Sequence, residues 1–517
     1  MTGNSGGLVA AGNIHTAQAA ASVLEDGGNA FDAMIAALWM TCVSEPVLSS
    51  LGGGGFLLAG ENGEIPEVID FFAHTPLVKL PAHALEFERM TADFGSVHQE
   101  FHTGQGSVAT PGFVAGLFVI LDRHGTMPMR RLAQPAIDLA TKGHALDPLQ
   151  AYILDVVSPI MLASGEARRL YGSKKTQDQA MKAGEIFRNL DLANAIERIA
   201  IEGPDLFYEG ELAQVIAHEQ SEAGLLTKDD LLGYRVEIHD PITTIVKGTT
   251  VHTNPVPSSG GTLVALQLDL LSRANPEVLR DPRGWTLALL QAMETSSRAR
   301  HQSGLNTKPD NEAVRKIFDQ SYVDDFSTAL AGRAEKLGGT THISIVDKKG
   351  NVAAATASNG EGCGHIVPGT GIMLNNMLGE EDINPMGFFN WECGTRISSM
   401  MAPTLLHHLD GSRTILGSGG SNRIKSAVFQ VSAQIIFDKM GIEDAVNHPR
   451  LHLEKGHLHI EGGFEPDLVD LLISGHPDAH QWEDKNLFFG GVHVAKFGES
   501  ELLGAADSRR GGVIRQV

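Results

Sequence analysis

Cysteine is scarce in this chain of 517 residues, and basic residues are missing from its first part. The chain has three cysteines, Cys42, Cys363 and Cys393. This number is small and odd, so it does not indicate a disulfide framework. The first Lys or Arg is Lys79, so the charged beginning of a signal peptide is not found. The longest apolar run near the start, residues 33–43, is too short to span a bilayer. We expect a cytoplasmic protein, although an exported protein whose leader had been removed would have the same sequence.

Aromatic residues are also few, at 6%, but 42% of the residues are hydrophobic, which is enough for a large core. The chain has 62 acidic and 40 basic residues, a net charge of −22. This balance argues against a nucleic-acid partner or an anionic membrane surface. Length alone would allow two to four domains. Because neither a repeat nor a low-complexity linker divides the chain, we expect one intertwined fold.

Local patterns predict several elements of an α+β protein. Residues 16–26 predict a helix closed by glycines, and Asn29 and Thr227 are typical helix caps. Residues 262–271 predict an apolar helix after a Pro- and Gly-containing loop. Residues 329–339 are polar and contain glycine, which is typical of a flexible segment.

A threonine stands at the start of a predicted hairpin, about two thirds of the way along the chain. Residues 338–347 (GGTTHISIVD) run from paired glycines and threonines into an alternating strand. Turn-forming residues 347–351 (DKKGN) follow, and residues 352–356 (VAAAT) return as a second strand. A threonine that becomes a chain N-terminus carries its own base, because its α-amine can take the proton from its Oγ. Thr340 is therefore a candidate nucleophile.

The chain resembles the γ-glutamyltranspeptidases in eight segments, which occur in the family's order over nearly the whole length. These segments are residues 27–33 (GGNAFDA), 52–56 (GGGGF), 110–116 (TPGFVAG), 257–261 (PSSGG), 340–347 (TTHISIVD), 368–376 (PGTGIMLNN), 396–404 (RISSMMAPT) and 417–421 (GSGGS). The resemblance implies the four-layer αββα sandwich of N-terminal-nucleophile hydrolases. It implies a precursor that cleaves itself between Gly339 and Thr340, with a large subunit of residues 1–339 and a small subunit of residues 340–517.

The same resemblance implies the partners of the reaction. They are a small γ-glutamyl amide such as glutathione, or a related amide, and water or an amino acid or peptide as acceptor. The two subunits are expected to remain associated as a heterodimer, which could pair further. No cofactor or metal is implied, and neither a nucleic acid nor a membrane is expected as a partner.

The resemblance also assigns catalytic roles. Thr340 is the nucleophile, and Ser358 matches the position whose hydroxyl holds the nucleophile's amine, where the family commonly has threonine. Gly420 and Ser421 match the loop whose two backbone N–H groups form the oxyanion hole. Since the family usually has glycine at the second position, Ser421 keeps the N–H but restricts φ. The alternative for Ser358 is an ordinary polar strand end.

Substrate binding is assigned in the same way. Ser398 and Ser399 match the serine pair at the α-carboxylate of a γ-glutamyl group. Asn359 matches an asparagine at the α-ammonium, if a two-residue gap is placed beside it. Glu380 or Glu381 supplies the carboxylate that the ammonium requires.

Two positions depart from the family pattern. Phe72 stands where the family has an arginine that clamps the substrate carboxylate, and Met377 replaces a glutamine. Phenylalanine cannot make the two parallel hydrogen bonds of an arginine. His74 is a candidate substitute cation, although a lone histidine is more often structural. The pocket therefore either binds γ-glutamyl groups more weakly or accepts a different amide, such as a glutaryl-type or small amide acid.

Three further interpretations are less favoured. The histidines of residues 407–408 and 457–459 have ligand-like spacing, but no accompanying zinc motif is present. Cys363 has no motif that would supply a base, so we interpret it as a small buried residue. A non-catalytic homologue would explain Phe72 and Met377, but the retention of Thr340 favours an enzyme.

Overall fold

A computed structural model describes residues 6–93, 98–176, 178–319, 339–454 and 456–517. Of the predicted flexible segment 329–339, only Gly339 belongs to the described residues, and Gly338 does not. Among the described residues, no helix combines the length and the apolar character that crossing a membrane requires.

Two antiparallel sheets form the middle of the molecule, and smaller sheets of two or three short strands accompany them. In chain order the strands are β1 Gly7–Ala11, β2 Gly54–Gly60, β3 Glu67–Asp70, β4 Glu88–Asp93, β5 His98–Thr103, β6 His144–Ala145, β7 Ile186–Phe187, β8 Glu237–His239, β9 Ile242–Val246, β10 Thr249–Thr253, β11 Thr341–Asp347, β12 Val352–Ser358, β13 Ile366–Val367, β14 Ile372–Met373, β15 Thr404–His407, β16 Arg413–Gly419, β17 Leu451–Glu454, β18 His457–Ile460, β19 His480–Gln481, β20 Gly491–Phe497, β21 Leu502–Ala506 and β22 Val513–Gln516.

The helices cover the outer faces of the two sheets. In chain order they are α1 Ile14–Glu25, α2 Ala30–Ser44, α3 Phe113–His124, α4 Met129–Lys142, α5 Pro148–Val156, α6 Ser158–Met161, α7 Gly165–Tyr171, α8 Leu190–Glu202, α9 Asp205–Tyr208, α10 Glu211–Gln220, α11 Lys228–Gly233, α12 Ser259–Ser272, α13 Pro276–Arg280, α14 Pro282–Gln302, α15 Asn311–Ile317, α16 Arg423–Phe437, α17 Ile442–Asn447 and α18 Pro466–Gly475. Single 3₁₀ turns lie at Ala82–Ala84, Gln105–Ser107, Met377–Gly379, Glu381–Ile383, Leu487–Phe489 and Ser508–Arg510.

The layer order confirms the predicted αββα sandwich. The first sheet has the order β22-β1-β11-β12-β2-β3-β8, and the second β21-β20-β16-β15-β10-β9. Helix α2 packs on β11 and β12, and the other face of these strands meets β16. Helices α12 and α16 cover the second sheet. One apolar core lies under α1 and α2, and another fills the space between the sheets and beneath α16.

Both sheets contain strands from before and after position 339. The first sheet places β1, β2, β3 and β8 beside β11, β12 and β22, and the second pairs β10 with β15. Separating residues 1–339 from 340–517 would therefore tear both sheets apart. The boundary between the two pieces itself stays a prediction.

The local patterns are confirmed where their signals are short-range. Asn29 and Thr227 each form a capping box with an Asp three residues later, which satisfies two helix-terminal N–H groups at once. Helix α1 ends at the predicted glycines. The apolar helix begins at Ser259, three residues before its predicted start, because the glycines of the loop are already helical and pack against backbone.

The predicted hairpin is the central pair of the first sheet. Strands β11 and β12 pair in antiparallel register from Thr341 opposite Ala357 to Val346 opposite Val352. Both strands are buried along their whole length. Ile343 and Ile345 point into the core under the helices, while His342 and Ser344 face the second sheet. Thr340 thus lies at the end of a fixed, fully enclosed strand.

Candidate active site

Thr340 immediately precedes β11 and is only 5% exposed. The N–H of Gly339 donates to Oε1 of Glu361 at 2.9 Å, which holds the segment before it. A Cβ added to Gly339 would lie 2.5 Å from the carbonyl oxygen of Gly360. Only glycine therefore fits at position 339, since that oxygen belongs to a backbone turn that cannot move aside easily.

Ser358, the last residue of β12, reaches the peptide bond before Thr340. Its hydroxyl donates a hydrogen bond to the carbonyl oxygen of Gly339 and accepts one at 2.9 Å from the N–H of Gly360. The hydroxyl proton is thus directed at the carbonyl that Thr340 would attack. A hydrogen-bond donor at this position polarises the C=O bond and stabilises negative charge that develops on its oxygen.

The glycine loop connects β16 to α16 and passes directly over Thr340. A Cβ on Gly419 would lie 2.2 Å from the carbonyl oxygen of Thr340, so the loop is in close backbone contact. Gly420 has φ +124° and Ser421 φ +49°, both in the region that favours glycine. The loop ends at the N-terminus of α16, where the helix dipole favours negative charge. Its position suits an oxyanion hole, and the roles of Gly420 and Ser421 stay predictions.

Two buried polar side chains, Arg510 and Glu45, fix the start of β11. Arg510 Nη1 donates to the carbonyl oxygen of Thr340 at 3.3 Å. Glu45 accepts hydrogen bonds from Thr341 Oγ1 at 2.7 Å and from Thr16 Oγ1 at 2.8 Å. Burial raises the pKa of Glu45 to about 7, and burial lowers the pKa of Arg510 to about 10. The sequence contained no signal for these contacts, because Glu45 and Arg510 lie far from Thr340 along the chain.

A small cleft opens beside Thr340. Two of the predicted substrate-binding residues, Glu380 and Ser399, line it, together with Ser358 and Ser421. The full lining is Phe72, Thr340, Ser358, Glu380, Asp382, Ile383, Ser399, Met400, Met401, Ser421 and Ile424. We refer to it as the Thr340 cleft.

Two other predicted substrate-binding residues are directed elsewhere. Asn359 Nδ2 donates to the carbonyl oxygens of Met373 and Leu374 at 3.3 and 3.4 Å. Ser398 Oγ donates to the carbonyl oxygen of Pro257 at 2.9 Å and lines a second, larger cleft. Neither belongs to the described residues that line the Thr340 cleft. Their assigned roles stay predictions.

Sequence reasoning gave no role to two acidic residues of the site. Glu361, 2% exposed, holds the Gly339 N–H. Asp382 lines the Thr340 cleft and accepts a hydrogen bond from the Ser421 hydroxyl, which anchors the glycine loop from outside. Glu361 lies between Asn359 and Cys363, and Asp382 follows Glu380 and Glu381, so their acidic side chains beside residues already assigned to the site were the signal that could have found them.

Phe72 forms part of the cleft wall. Its ring is 2% exposed and stacks on Phe56 with centroids 5.4 Å apart. Arg396 lies behind it: its guanidinium donates to the carbonyl oxygen of Phe72 and to Tyr234 Oη, the latter at 2.6 Å. Ion pairs of 3.4 and 3.6 Å join Arg396 to Asp70 and Glu237. These contacts hold the nearby arginine away from the Thr340 cleft.

His74 does not supply the missing cation either. Its Nε2 lies 3.7 Å from Glu237 Oε1, and its ring packs against Tyr234 at 5.1 Å. Its backbone pairs with Thr110. Among the described residues, His74 is not part of the lining of the Thr340 cleft. The structural interpretation of this histidine is therefore the better one.

The histidine pairs at 407–408 and 457–459 are not drawn together into a ligand set within the described ranges. The grouping found there instead is Asp70, Glu237 and His239. Hydrogen bonding to Asp70 and Glu237 raises the pKa of His239 to about 9, so its ring is protonated at neutral pH. With Arg396 also beside Asp70, the group is an ion-pair cluster that already contains its cations.

Cys363 is buried, and burial raises the pKa of its thiol to about 12. A thiolate is therefore scarce at neutral pH. This supports the interpretation of Cys363 as a small packing residue.

The sandwich and the buried threonine that opens its central strand define an N-terminal-nucleophile hydrolase. A sequence model of the family described as gamma-glutamyltranspeptidase matches residues 16–517. The chain belongs to the γ-glutamyltranspeptidase family.

Known proteins agree with this assignment. The chain is 30% identical over 497 residues to the glutathione hydrolase proenzyme of Escherichia coli (strain K12), covering 90% of this chain and 84% of that protein. It is 28% identical to the acylase ACY 1 proenzyme of Pseudomonas sp. (strain V22), covering 98% and 92%. The crystal structure of cephalosporin acylase from Bacillus halodurans is similar with a TM-score of 0.80 at 23% identity, covering 99% and 96%, and supports the fold.

Proposed function

We propose that this protein is a self-cleaving amide hydrolase and acyltransferase that uses Thr340 as its nucleophile. The observation that carries the proposal is the hydrogen bond from Ser358 to the carbonyl of Gly339, on the bond that Thr340 would break. The glycine loop contacts the carbonyl oxygen of Thr340, on the following peptide bond. The donor and the loop thus contact the two peptide bonds that flank Thr340, as a reaction at this residue would require.

The first reaction is the cleavage of the chain itself. Oγ of Thr340 attacks the carbonyl carbon of Gly339, the C–N bond breaks, and the hydroxyl proton ends on the released amine. Water then hydrolyses the resulting ester, leaving a carboxylate on Gly339 and restoring the hydroxyl. Because both sheets mix strands from the two pieces, the pieces remain together as a heterodimer.

The second reaction uses the new N-terminus. The free α-amine, with a pKa of roughly 7.7–8.0, takes the proton from Oγ as Oγ attacks the carbonyl carbon of a substrate amide. The tetrahedral intermediate collapses, the C–N bond breaks, and the leaving amine takes the proton. Water or an acceptor amine then removes the acyl group from Thr340. Backbone N–H groups of the glycine loop stabilise the charged oxygen, typically by about 10²–10³ in rate per donor.

One relative is a glutathione hydrolase, and glutathione is a γ-glutamyl amide, so this class is the main candidate for this chain. Another relative is an acylase, a name that does not specify a γ-glutamyl group, and a different amide is the second candidate. The second candidate is supported by Phe72, which occupies the wall where an arginine would clamp a carboxylate. Both candidates require an acyl-enzyme on Thr340.

Trapping the acyl-enzyme tests the proposal. We expect acid quenching during turnover of a γ-glutamyl or alkanoyl p-nitroanilide to yield the small subunit with its mass raised by one acyl group. A peptide map should place this group on Thr340. Turnover with the label on another residue, or without any label under rapid quenching, would contradict the proposal.

Replacing Ser358 by alanine should slow self-cleavage by about 10²-fold, because the carbonyl of Gly339 loses its side-chain donor. The rate is measured by following the full-length chain on denaturing gels after translation in vitro. Ser358→Thr is the matched control, since it retains the hydroxyl and should cleave at close to the normal rate. Normal cleavage of Ser358→Ala would remove Ser358 from the mechanism.

A further inference from the structure

We propose that Ser421 and Asp382 are a pair of positioning residues, whose hydrogen bond keeps the glycine loop of residues 417–421 in the conformation that an oxyanion hole needs. The inference rests on the proposed function, in which backbone N–H groups of this loop stabilise the charged oxygen. It follows from the backbone conformation of Ser421, from the bond that its hydroxyl makes, and from the way Asp382 is held.

Ser421 has a backbone conformation that serine rarely adopts. Its φ is +49°, in the left-handed region, where the Cβ of an L-residue crowds the neighbouring backbone. Glycine enters this region without that cost, since it has no Cβ. An unfavourable conformation of this kind persists only where the surrounding structure holds it, so a contact of Ser421 has to offset it.

The Ser421 hydroxyl supplies such a contact. It donates a hydrogen bond to Oδ2 of Asp382, and both residues line the Thr340 cleft. Hydrogen bonds to a carboxylate are roughly twice as strong as those between neutral groups. If residue 421 left the left-handed region, its Cβ would turn away from Asp382 and the bond would break. The bond therefore favours the observed conformation of the loop.

Asp382 is held by the backbone around it. It lies in the 3₁₀ turn Glu381–Ile383. The buried side-chain amide of Asn384 donates to the carbonyl oxygens of Met377 and Glu380, both at 2.8 Å. The turn is thus tied to the segment before it, which fixes the position of Asp382.

Buried cations hold the carboxylate itself. Arg300, Arg423 and Lys425 are at most 8% exposed, and each is attracted by Asp382. Burial lowers the pKa of Arg423 to about 9, and the attraction of Asp382 opposes this decrease. Because opposite charges attract more strongly at buried positions than in water, Asp382 is kept in place as an acceptor.

The start of α16 fixes the other end of the loop. The carbonyl oxygen of Gly420 accepts a hydrogen bond from the N–H of Arg423 at 3.0 Å, and that of Ser421 accepts one from Ile424 at 3.1 Å. The N–H and C=O groups of a trans peptide point in opposite directions, so the N–H of Ser421 points away from α16. A change of φ at Ser421 would turn this peptide group relative to the helix. The pair therefore positions a donor predicted for the oxyanion hole.

Two substitutions at position 421 test the inference on the self-cleaved protein. Both remove the hydroxyl, but Ser421→Ala leaves a Cβ in the left-handed region, whereas Ser421→Gly removes it. We expect kcat for γ-glutamyl p-nitroanilide to be about tenfold higher in Ser421→Gly than in Ser421→Ala, because only alanine retains the unfavourable Cβ. KM should differ little between the two, since the loop stabilises charge that develops during the reaction. Butanoyl p-nitroanilide is the second probe.

Substitutions of Asp382 test the partner. Asp382→Ala should lower kcat by about tenfold in the otherwise unchanged chain, but by less than about threefold in a chain that carries Ser421→Gly. Asp382→Asn keeps an acceptor oxygen, so its kcat should lie between those of the wild type and Asp382→Ala. A carboxylate that served only to stabilise the fold would lower kcat equally in both backgrounds. If Asp382→Ala does not fold, the comparison of Ser421→Ala with Ser421→Gly decides.

The results separate the inference from the function on which it rests. Equal kcat values in Ser421→Ala and Ser421→Gly, or an effect of Asp382→Ala that does not depend on position 421, overturn the inference and leave the proposed function standing. A wild type that neither cleaves itself nor hydrolyses an anilide overturns the proposed function. Where no anilide is hydrolysed, crystal structures of the two variants at position 421 decide the inference. Residue 421 should leave the left-handed region in Ser421→Ala alone, and any other result overturns the pairing.

Discussion

Thr340→Ala is expected to leave the chain at its full 517 residues and to abolish turnover, whereas the wild type separates into residues 1–339 and 340–517. Alanine removes the hydroxyl that we propose attacks Gly339, and without cleavage no terminal amine is formed to act as base. Intact mass under denaturing conditions distinguishes the two results directly. The effect is all or none, which makes it the largest that the structure predicts.

Two neighbouring variants show that the hydroxyl at position 340 is responsible. Thr340→Ser keeps the nucleophile and should still cleave at the same bond. Thr341→Ser keeps the hydroxyl that donates to Glu45 and should give the wild-type pieces. A wild-type chain that stays whole, or Thr340→Ala chains that separate at 339, would contradict the mechanism.

Local signals predicted the elements around the site well. The hairpin of β11 and β12 follows from alternation and a turn sequence, and both need only neighbouring residues. The caps at Asn29 and Thr227 follow from residues three positions apart. The sandwich itself was inferred through the family resemblance, because the order of strands in a sheet depends on contacts between distant segments.

Side-chain direction could not be predicted from motifs alone. Ser399 lines the Thr340 cleft and its neighbour Ser398 does not, since the latter hydroxyl bonds to Pro257 across a separate part of the chain. Arg510 contacts Thr340 only because the last strands return to the centre of the molecule. The lack of an available cation in the described cleft likewise depends on Arg396 being held from behind, which no residue pattern reveals.

Gly419→Ala should reduce both self-cleavage and amide turnover by about 10²-fold, because small displacements in an active site have effects of this size. The added Cβ would lie 2.2 Å from the carbonyl oxygen of Thr340, and neither backbone can yield without moving the loop or the nucleophile. Self-cleavage is followed by intact mass, and turnover by p-nitroaniline release at saturating and limiting substrate. A loss in kcat rather than in KM is expected, since the loop stabilises charge that develops during the reaction.

Gly475→Ala is the matched control, because it adds the same methyl group at the end of α18, where nothing lies within 4 Å. It should retain wild-type cleavage and turnover. Thermal unfolding of both variants then separates an effect on the site from a general loss of stability, which overpacking alone would set at about 1–3 kcal/mol. If Gly419→Ala cleaves and turns over normally, the loop of residues 417–421 does not form the oxyanion hole. If it fails while its unfolding temperature stays close to that of Gly475→Ala, the contact between this loop and Thr340 is what the chemistry requires.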